Sequence, residues 1–314
     1  MKIKTIKKVC RDIMDRWISS IDDPTTAKAI KDGAFITGGS IASMFLKEDV
    51  NDFDIYFRDK QSLKAVLHYY IKKANNGRLV EYTPNMSDYD SVVSANLVGL
   101  IDGSYWLVPD SMLGNGSFSR QIRNIESDRL KVFIYEGIRR FDYKPEDETP
   151  FRLLCITPNS ITLSDKLQIV MRFHGEPDEI HKNYDFVHAT NVYDYKNDKL
   201  IINQPALESL IMKELKYIGS LYPLTSILRA KKFVSRGWTI TAGEHLKIMY
   251  QVSALDLSDI DVLEEQLIGV DIAYFQKLIE VLRNIAESKP DFHLTQGYLF
   301  ELIDRVFSDE YGDN

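Results

Sequence analysis

Hydrophobic residues recur at two different spacings along this chain, and the spacing changes near residue 204. In the first 203 residues, segments with period-two alternation, such as NDFDIYF at 51–57, stand between segments of helical periodicity, such as 2–19. From Gln204 onward the pattern is helical, with candidate helices at 205–219, 225–236, 242–252, 258–268, 271–287 and 294–308. The pattern therefore predicts an α/β domain at 1–203 and an all-helical domain at 204–314.

The stretch around 80–180 is rich in β-strand signals and turns. Its candidate strands are YWLV, LKVFIYEGI, FRLLCI, SITL and LQIVMRF, and a polar, glycine-rich loop occupies 112–121. We interpret this stretch as a β-rich insertion or an elaboration of the sheet. The segment NYDFVHATNVYDY at 183–195 is again strand-like.

Charge and composition narrow the functional classes. The chain of 314 residues has a net charge of −7, which argues against broad, non-specific binding to nucleic-acid backbones. Two cysteines without zinc-like spacing predict neither a disulfide framework nor a zinc site. No signal peptide and no apolar run of about 20 residues occurs. We therefore expect no membrane association and a cytoplasmic protein, in the host cytoplasm if a phage encodes it.

One group of residues indicates a chemical function. Gly38-Gly39-Ser40 follows the short apolar strand AFIT, and eleven residues later comes Asp52-Phe53-Asp54-Ile55. Two aspartates separated by one residue on a strand project from the same face, where both can ligate a hard divalent cation such as Mg²⁺. The glycines let the backbone approach a phosphate closely, and the serine with the N–H groups of the following helix can bind phosphate oxygens.

The segment TGGSIASMFLKEDVNDFDIYF at 37–57 resembles the signature of DNA polymerase beta-like nucleotidyltransferases. The resemblance implies a mixed-sheet core with catalytic carboxylates on adjacent strands. It also implies Mg²⁺, with Mn²⁺ as a substitute, and a nucleoside triphosphate as substrate. The expected reaction moves a nucleoside monophosphate to an acceptor hydroxyl. The acceptor stays open among an RNA 3′ end, a protein and a small molecule.

Such chemistry needs a third carboxylate, and we choose Asp185. It lies in a strand-like stretch just before the helical half, and YDFVH is similar to a block of bacteriophage-type members of the superfamily. Asp90 and Asp165 are the alternatives. The predicted catalytic and metal-binding set is therefore Asp52, Asp54 and Asp185.

Further residues are candidates for binding the nucleotide. Besides Gly38, Gly39 and Ser40, we predict this role for Arg229, Lys232 and Arg236, which share one face of a helix at about 100° per residue. The alternative, which the sequence supports equally, is that these three side chains form a solvent-exposed helix face without a binding role. His188 points away from Asp185 on a regular strand, so we interpret it as a hydrogen-bonded histidine near the core.

Two other functional classes compete with an active transferase. A catalytically inactive protein on the same fold would bind nucleotide or serve as a virion or assembly component. A phosphohydrolase or nuclease also uses paired aspartates, but it has no need for the Gly-Gly-Ser turn at this spacing.

Overall fold

The computed structural model describes residues 1–79, 81–82, 98–102, 130–133, 139–142, 148–157, 159–257 and 295–308, with isolated positions at 259, 262, 263, 266, 282 and 284. Its helices are α1 (Ile3–Ser19), α2 (Pro24–Gly33), α3 (Gly39–Leu46), α4 (Lys60–Ala74), α5 (Pro177–His181), α6 (Gln204–Met212), α7 (Pro223–Val234), α8 (Ala242–Val252) and α9 (Gln296–Ser308).

The strands form one large sheet and two small ones. They are β1 (Ala34–Thr37), β2 (Phe53–Phe57), β3 (Glu81–Tyr82), β4 (Gly99–Asp102), β5 (Leu130–Phe133), β6 (Arg139–Arg140), β7 (Leu153–Ile156), β8 (Ser160–Leu163), β9 (Leu167–His174), β10 (Val192–Asp194), β11 (Lys199–Ile201), β12 (Glu214–Leu215) and β13 (Thr239–Ile240). The eight-stranded sheet has the order β11-β10-β1-β2-β9-β8-β7-β6. Its neighbours are antiparallel except β2 and β9, which are parallel. The predicted mixed α/β sheet is confirmed.

The two faces of this sheet differ because side chains alternate along each strand. On one face a row of isoleucines crosses four neighbouring strands in register, and each of its members is fully buried: Ile36, Ile55, Ile169 and Ile161. The adjacent row, on the opposite face, is polar and contains Thr37, Asp54, Gln168 and Thr162. The apolar face therefore forms the core, and the polar face is available for a site.

Amphipathic helices cover the core. The buried face of α1 carries Ile6, Cys10, Met14 and Trp17 at helical spacing. The indole Nε1 of Trp17 donates a hydrogen bond of 2.8 Å to the hydroxyl of Tyr70 on α4. This bond satisfies a buried donor, so it locks α1 to α4 as well as filling space.

The chain divides into two compact units. The first comprises Met1–His181 and Ala189–Ala206, and the second comprises Lys182–His188 and Leu207–Asn314. Strands β6 to β9, from the β-rich stretch, belong to the large sheet of the first unit. No helix among the described residues is long and apolar enough to span a membrane.

The second unit is not entirely helical, contrary to the prediction. The expected helix at 205–219 ends at Met212, and the parallel pair β12–β13 follows. Lys213 adopts a left-handed conformation with φ 49°, and its carbonyl accepts a hydrogen bond from the N–H of Thr239. Pairing in this small sheet buries Leu215 completely, so a tertiary contact overrides local helical periodicity.

Candidate functional site

The Gly-Gly-Ser segment forms a turn between β1 and α3. Gly38 has φ 94° and ψ −155°, a combination that is essentially restricted to glycine. Its N–H donates to the carbonyl of Ala189 at 3.0 Å. A Cβ placed on Gly39 would meet no heavy atom within 4 Å, so the backbone there is open to approach by a ligand.

Ser40 lies in the first turn of α3 and is 2% exposed. Its Oγ has no hydrogen-bond partner among the described residues. Buried hydroxyls are nearly always paired. An unpaired one beside free helix N–H groups therefore fits a turn that is completed by an oxygen-rich ligand such as phosphate.

The predicted Asp54 lies on the polar face of the sheet, next to this turn. Asp54 pairs in register with Thr37, the last residue before the turn. Residues paired in an antiparallel ladder have side chains on the same face, with Cα atoms roughly 4.5–5.5 Å apart. Asp52 immediately precedes β2 and is exposed. The Gly-Gly-Ser turn and the Asp-x-Asp pair thus meet at one edge of the sheet.

Thr37 is the centre of a hydrogen-bond network at that edge. Its hydroxyl donates to the carbonyl of Asn191 at 2.9 Å, and it also contacts the Nε2 of His181 at 2.8 Å. A threonine hydroxyl has one hydrogen, so the Nε2–H of His181 is the donor in the second contact. Burial lowers the pKa of His181 to about 4, which keeps the ring neutral at physiological pH.

Asp185 is placed differently from the prediction. It lies in a bend rather than a strand, because the isolated bridge of Phe186 to Tyr217 and a 3₁₀ turn at Val187–Ala189 replace a continuous ladder. One carboxylate oxygen accepts the N–H of Phe186 at 3.0 Å, and the other accepts Nη1 of Arg229 at 2.9 Å.

The three predicted acids are distributed over the two compact units. Asp52 and Asp54 belong to the first unit, and Asp185 belongs to the second. No group of three His, Cys, Asp or Glu side chains suited to hold a metal ion occurs within the described ranges. Of the alternatives, Asp165 pairs with Arg16 and accepts the N–H of Phe151, while Asp90 lies outside the described residues.

The predicted basic face is only partly formed. Arg229 lies on α7, is half-buried and pairs with Asp185. Lys232 lies on the same helix and is exposed. The helix ends at Val234, and Arg236 follows in a turn where its N–H bonds to the carbonyl of Phe233. Helical spacing therefore does not fix the position of Arg236 relative to Arg229, and its role in binding the nucleotide stays a prediction.

His188 is buried in an aromatic cluster of the second unit. Its ring lies 4.6 Å from that of Phe233 and 4.7 Å from that of Trp238. Its Nδ1 has no hydrogen-bond partner in the described part of the chain, and burial lowers its pKa to about 4. Its buried position near the core agrees with the prediction, while the predicted hydrogen bond of the ring is not made by Nδ1.

Two residues of the site were not identified from the sequence. Thr37 had a signal, since it ends a buried strand directly before the turn. His181 had none, because it reaches Thr37 across 144 positions of sequence. A cavity of about 490 Å³ is lined by residues of α4, by the first turn of α2 and by the residues just before α2; Asp23, Tyr69 and Lys72 are among them, and none is a candidate site residue.

The chain matches the family model described as Gabija anti-defense 2 family protein over residues 8–213, more than half of its length. A curated relative named Gabija anti-defense 2, from Bacillus phage SPbetaL7, is 24% identical over 148 residues. That alignment covers 46% of this chain and 36% of the relative, so the chain spans only about a third of that protein.

Solved structures of CCA-adding enzymes are also similar. The Thermotoga maritima enzyme complexed with tRNA is 12% identical with a TM-score of 0.38, and the alignment covers 96% of this chain and 70% of that one. The Bacillus stearothermophilus enzyme in complex with CTP is 11% identical with a TM-score of 0.39, with 84% and 51% covered. TM-scores below 0.5 carry no conclusion about function.

Proposed function

Because the chain belongs to the Gabija anti-defense 2 family, we propose that it counteracts the Gabija defence as a metal-dependent nucleotidyltransferase. In the proposed reaction an acceptor hydroxyl attacks the α-phosphorus of a nucleoside triphosphate. The new bond joins the acceptor oxygen to that phosphorus, the bond between the α-phosphorus and the bridging oxygen breaks, and pyrophosphate leaves. The hydroxyl proton passes to a carboxylate or to water.

One observation carries this proposal. The glycine turn with its buried, unpaired Ser40 hydroxyl and the Asp52/Asp54 pair lie at the same edge of the same sheet. A phosphate chain needs close backbone approach and hydrogen-bond donors, while the reacting phosphorus needs anionic oxygen ligands nearby for a cation. Both requirements are met within one short segment, and this segment lies inside the stretch matched by the family model.

The donor set fits Mg²⁺ or Mn²⁺, which prefer oxygen ligands. Asp52 and Asp54 are the residues that would hold such an ion. When bound, the cation neutralises phosphate charge and activates the attacking hydroxyl. The chain itself orients the triphosphate: the N–H groups at the start of α3 and the Ser40 hydroxyl donate to phosphate oxygens, and Gly38 and Gly39 leave space for them.

We assign Asp185 to Arg229 rather than to the metal. The carboxylate already receives an arginine Nη1 and a backbone N–H, and it fixes the guanidinium from one side. The guanidinium of Arg229, held in this way, would supply positive charge to a phosphate or another anionic group. This role accounts for an acid in the position at which the sequence suggested a third metal ligand.

The test is turnover of each of the four ribonucleoside triphosphates with Mg²⁺ or Mn²⁺, measured as pyrophosphate release in the presence of total cellular RNA and protein. Asp52→Ala and Asp54→Ala should abolish release. Asp49→Asn, a change at an exposed acid of the same loop, is the matched control and should not. A labelled product in the RNA or the protein fraction identifies the acceptor class.

The family assignment supplies a second readout. Expression of the chain should restore plaque formation by a Gabija-sensitive phage on bacteria that carry the Gabija defence, and Asp54→Ala should not restore it. If Asp54→Ala, expressed to the same level, restored plaque formation as well as the wild type does, the enzyme proposal would be contradicted.

The competing proposal is a protein that binds a nucleotide or a defence component without turnover. It is favoured by one observation, the lack of a three-acid metal cluster within the described ranges. It predicts triphosphate binding without pyrophosphate release, and counter-defence that survives Asp52→Ala and Asp54→Ala.

A further inference from the structure

The segment 175–181, which follows β9 and contains α5, links the end of β2 to the end of β1. At one end, the N–H of Gly175 donates to the carbonyl of Phe57 at 3.0 Å, and Glu176 pairs with Arg58 at 3.2 Å. At the other end, His181 reaches Thr37. Between them Ile180 is 1% exposed. The segment is thus attached to both β2 and β1, and its last side chain comes to the candidate site.

The geometry points to His181 as a positioning residue of the proposed transferase site: its Nε2–H holds the Thr37 hydroxyl beside Asp54. This inference rests on the proposed function and deepens it, since it adds a residue that neither the motif nor the comparisons assign to the site.

The argument begins with the register. Thr37 and Asp54 are directly paired on one face of the sheet, so the imidazole that touches Thr37 is one side chain removed from Asp54. Both belong to the same compact unit, and their mutual placement follows from ladder hydrogen bonds.

The hydrogen-bond roles then follow from the number of hydrogens. The Thr37 hydroxyl donates its one hydrogen to the carbonyl of Asn191, so it can only accept a hydrogen bond from His181. The hydroxyl rotor is therefore fixed from two sides, and the β1 end that leads into Gly38 is tied to both α5 and the 189–191 segment. Without the imidazole donor, Thr37 keeps its other bond, but its hydroxyl and the start of the glycine turn lose their lateral support.

Three substitutions separate this role from others. The amide nitrogen of a glutamine reaches the position of a histidine Nε2, and that of an asparagine reaches the position of Nδ1. His181→Gln therefore retains the donor to Thr37, whereas His181→Asn and His181→Ala lose it. We expect kcat for pyrophosphate release to fall about 10–100-fold in His181→Asn and His181→Ala, the range for groups that support a metal site without contacting the ion, with a smaller change in KM. His181→Gln should recover most of the rate.

The pH profile of kcat supplies a readout that a proton-transfer role would change. If the imidazole is neutral and only positions Thr37, the pH profile of kcat for His181→Gln should be parallel to that of the wild type. If the profile of His181→Gln instead lost one of its limbs, His181 would be a general base and the inference would be overturned. Equal rates in wild type and His181→Ala would also overturn it. If loss of rate tracked loss of folded protein by circular dichroism, or if glutamine failed as badly as alanine while folded, positioning through Thr37 would be refuted.

The outcomes also distinguish this inference from the proposed function. A wild-type chain without pyrophosphate release and without counter-defence refutes both. A wild-type chain that is active, with Asp54→Ala inactive and His181→Ala unaffected, refutes only the role of His181.

Discussion

The ion pair between Asp185 and Arg229 makes the sharpest quantitative prediction, because it decides between two roles of one acid. The Nη1–Oδ2 distance is 2.9 Å, and the side chains are 12% and 39% exposed for Asp185 and Arg229. A hydrogen bond to a charged group contributes about 1.5–3 kcal/mol. Solvent around the half-exposed guanidinium screens part of this, so we expect a coupling free energy of about 1–2 kcal/mol.

A double-mutant cycle measures that coupling. Asp185→Ala, Arg229→Ala and the double variant are unfolded in urea, and the cycle isolates the pairwise contribution. Lys232→Ala, an exposed change one turn along the same helix, serves as the control and should be additive with Asp185→Ala. The same variants are then assayed for turnover. Asp185→Ala and Arg229→Ala should raise the KM for triphosphate to a similar degree, with the double variant no worse than either.

Two results together would refute this reasoning. The stability changes of Asp185→Ala and Arg229→Ala would be additive within about 0.5 kcal/mol, and the Mg²⁺ requirement for turnover would change in Asp185→Ala but not in Arg229→Ala. Asp185 would then act on the metal, as the sequence first suggested, and the pair with Arg229 would be incidental.

Three further predictions concern the turn, the core and the response to pH. Gly38→Ala should destabilise the fold by about 1–3 kcal/mol in urea unfolding, because the backbone dihedral angles of Gly38 are unfavourable for a residue with a side chain. Gly39→Ala should leave stability unchanged and raise the KM for triphosphate. Equal stability of the two variants would contradict the assigned turn. Tyr70→Phe should cost about 1–3 kcal/mol by leaving the Trp17 indole N–H buried without an acceptor, and no measurable cost would show that water replaces the hydroxyl. Burial lowers the pKa of His181 from 6.5 to about 4, so between these two pH values the unfolded chain binds a proton that the folded chain does not. The free energy of unfolding should therefore fall as the pH drops from about 6.5 to 4. His181→Gln should reduce this pH dependence in urea unfolding by one proton, and an unchanged pH dependence would contradict the lowered pKa.

The β1-turn-α3-β2 segment could be read from the sequence because its determinants are local. Alternation assigns Asp54 and Ile55 to opposite faces of a strand whatever lies beside it. The glycine at position 38 satisfies a backbone requirement that only its own dihedral angles impose. The helices α1 and α8 were predicted within one residue of their observed limits for the same reason, since their apolar periodicity is complete within the helix.

Sequence reasoning failed where a distant partner decides the local structure. The pairing of β12 with β13 ended a helix that periodicity alone would have continued through Lys213. Arg229 also donates a hydrogen bond to the carboxylate of Asp185, and nothing in the spacing of these two residues predicts this contact. The alternation rule also assumed a regular strand at 183–195, where a bend and a 3₁₀ turn are found.

By itself, then, the sequence determined the turn, the paired aspartates and the faces on which they lie, because each depends on neighbours within a few residues. Only the tertiary structure decided that β9 runs parallel beside β2, that His181 donates to Thr37 and that Asp185 pairs with an arginine. These contacts join residues that are far apart along the chain. Their energies depend on burial and on hydrogen-bond partners that come together only when the two units fold.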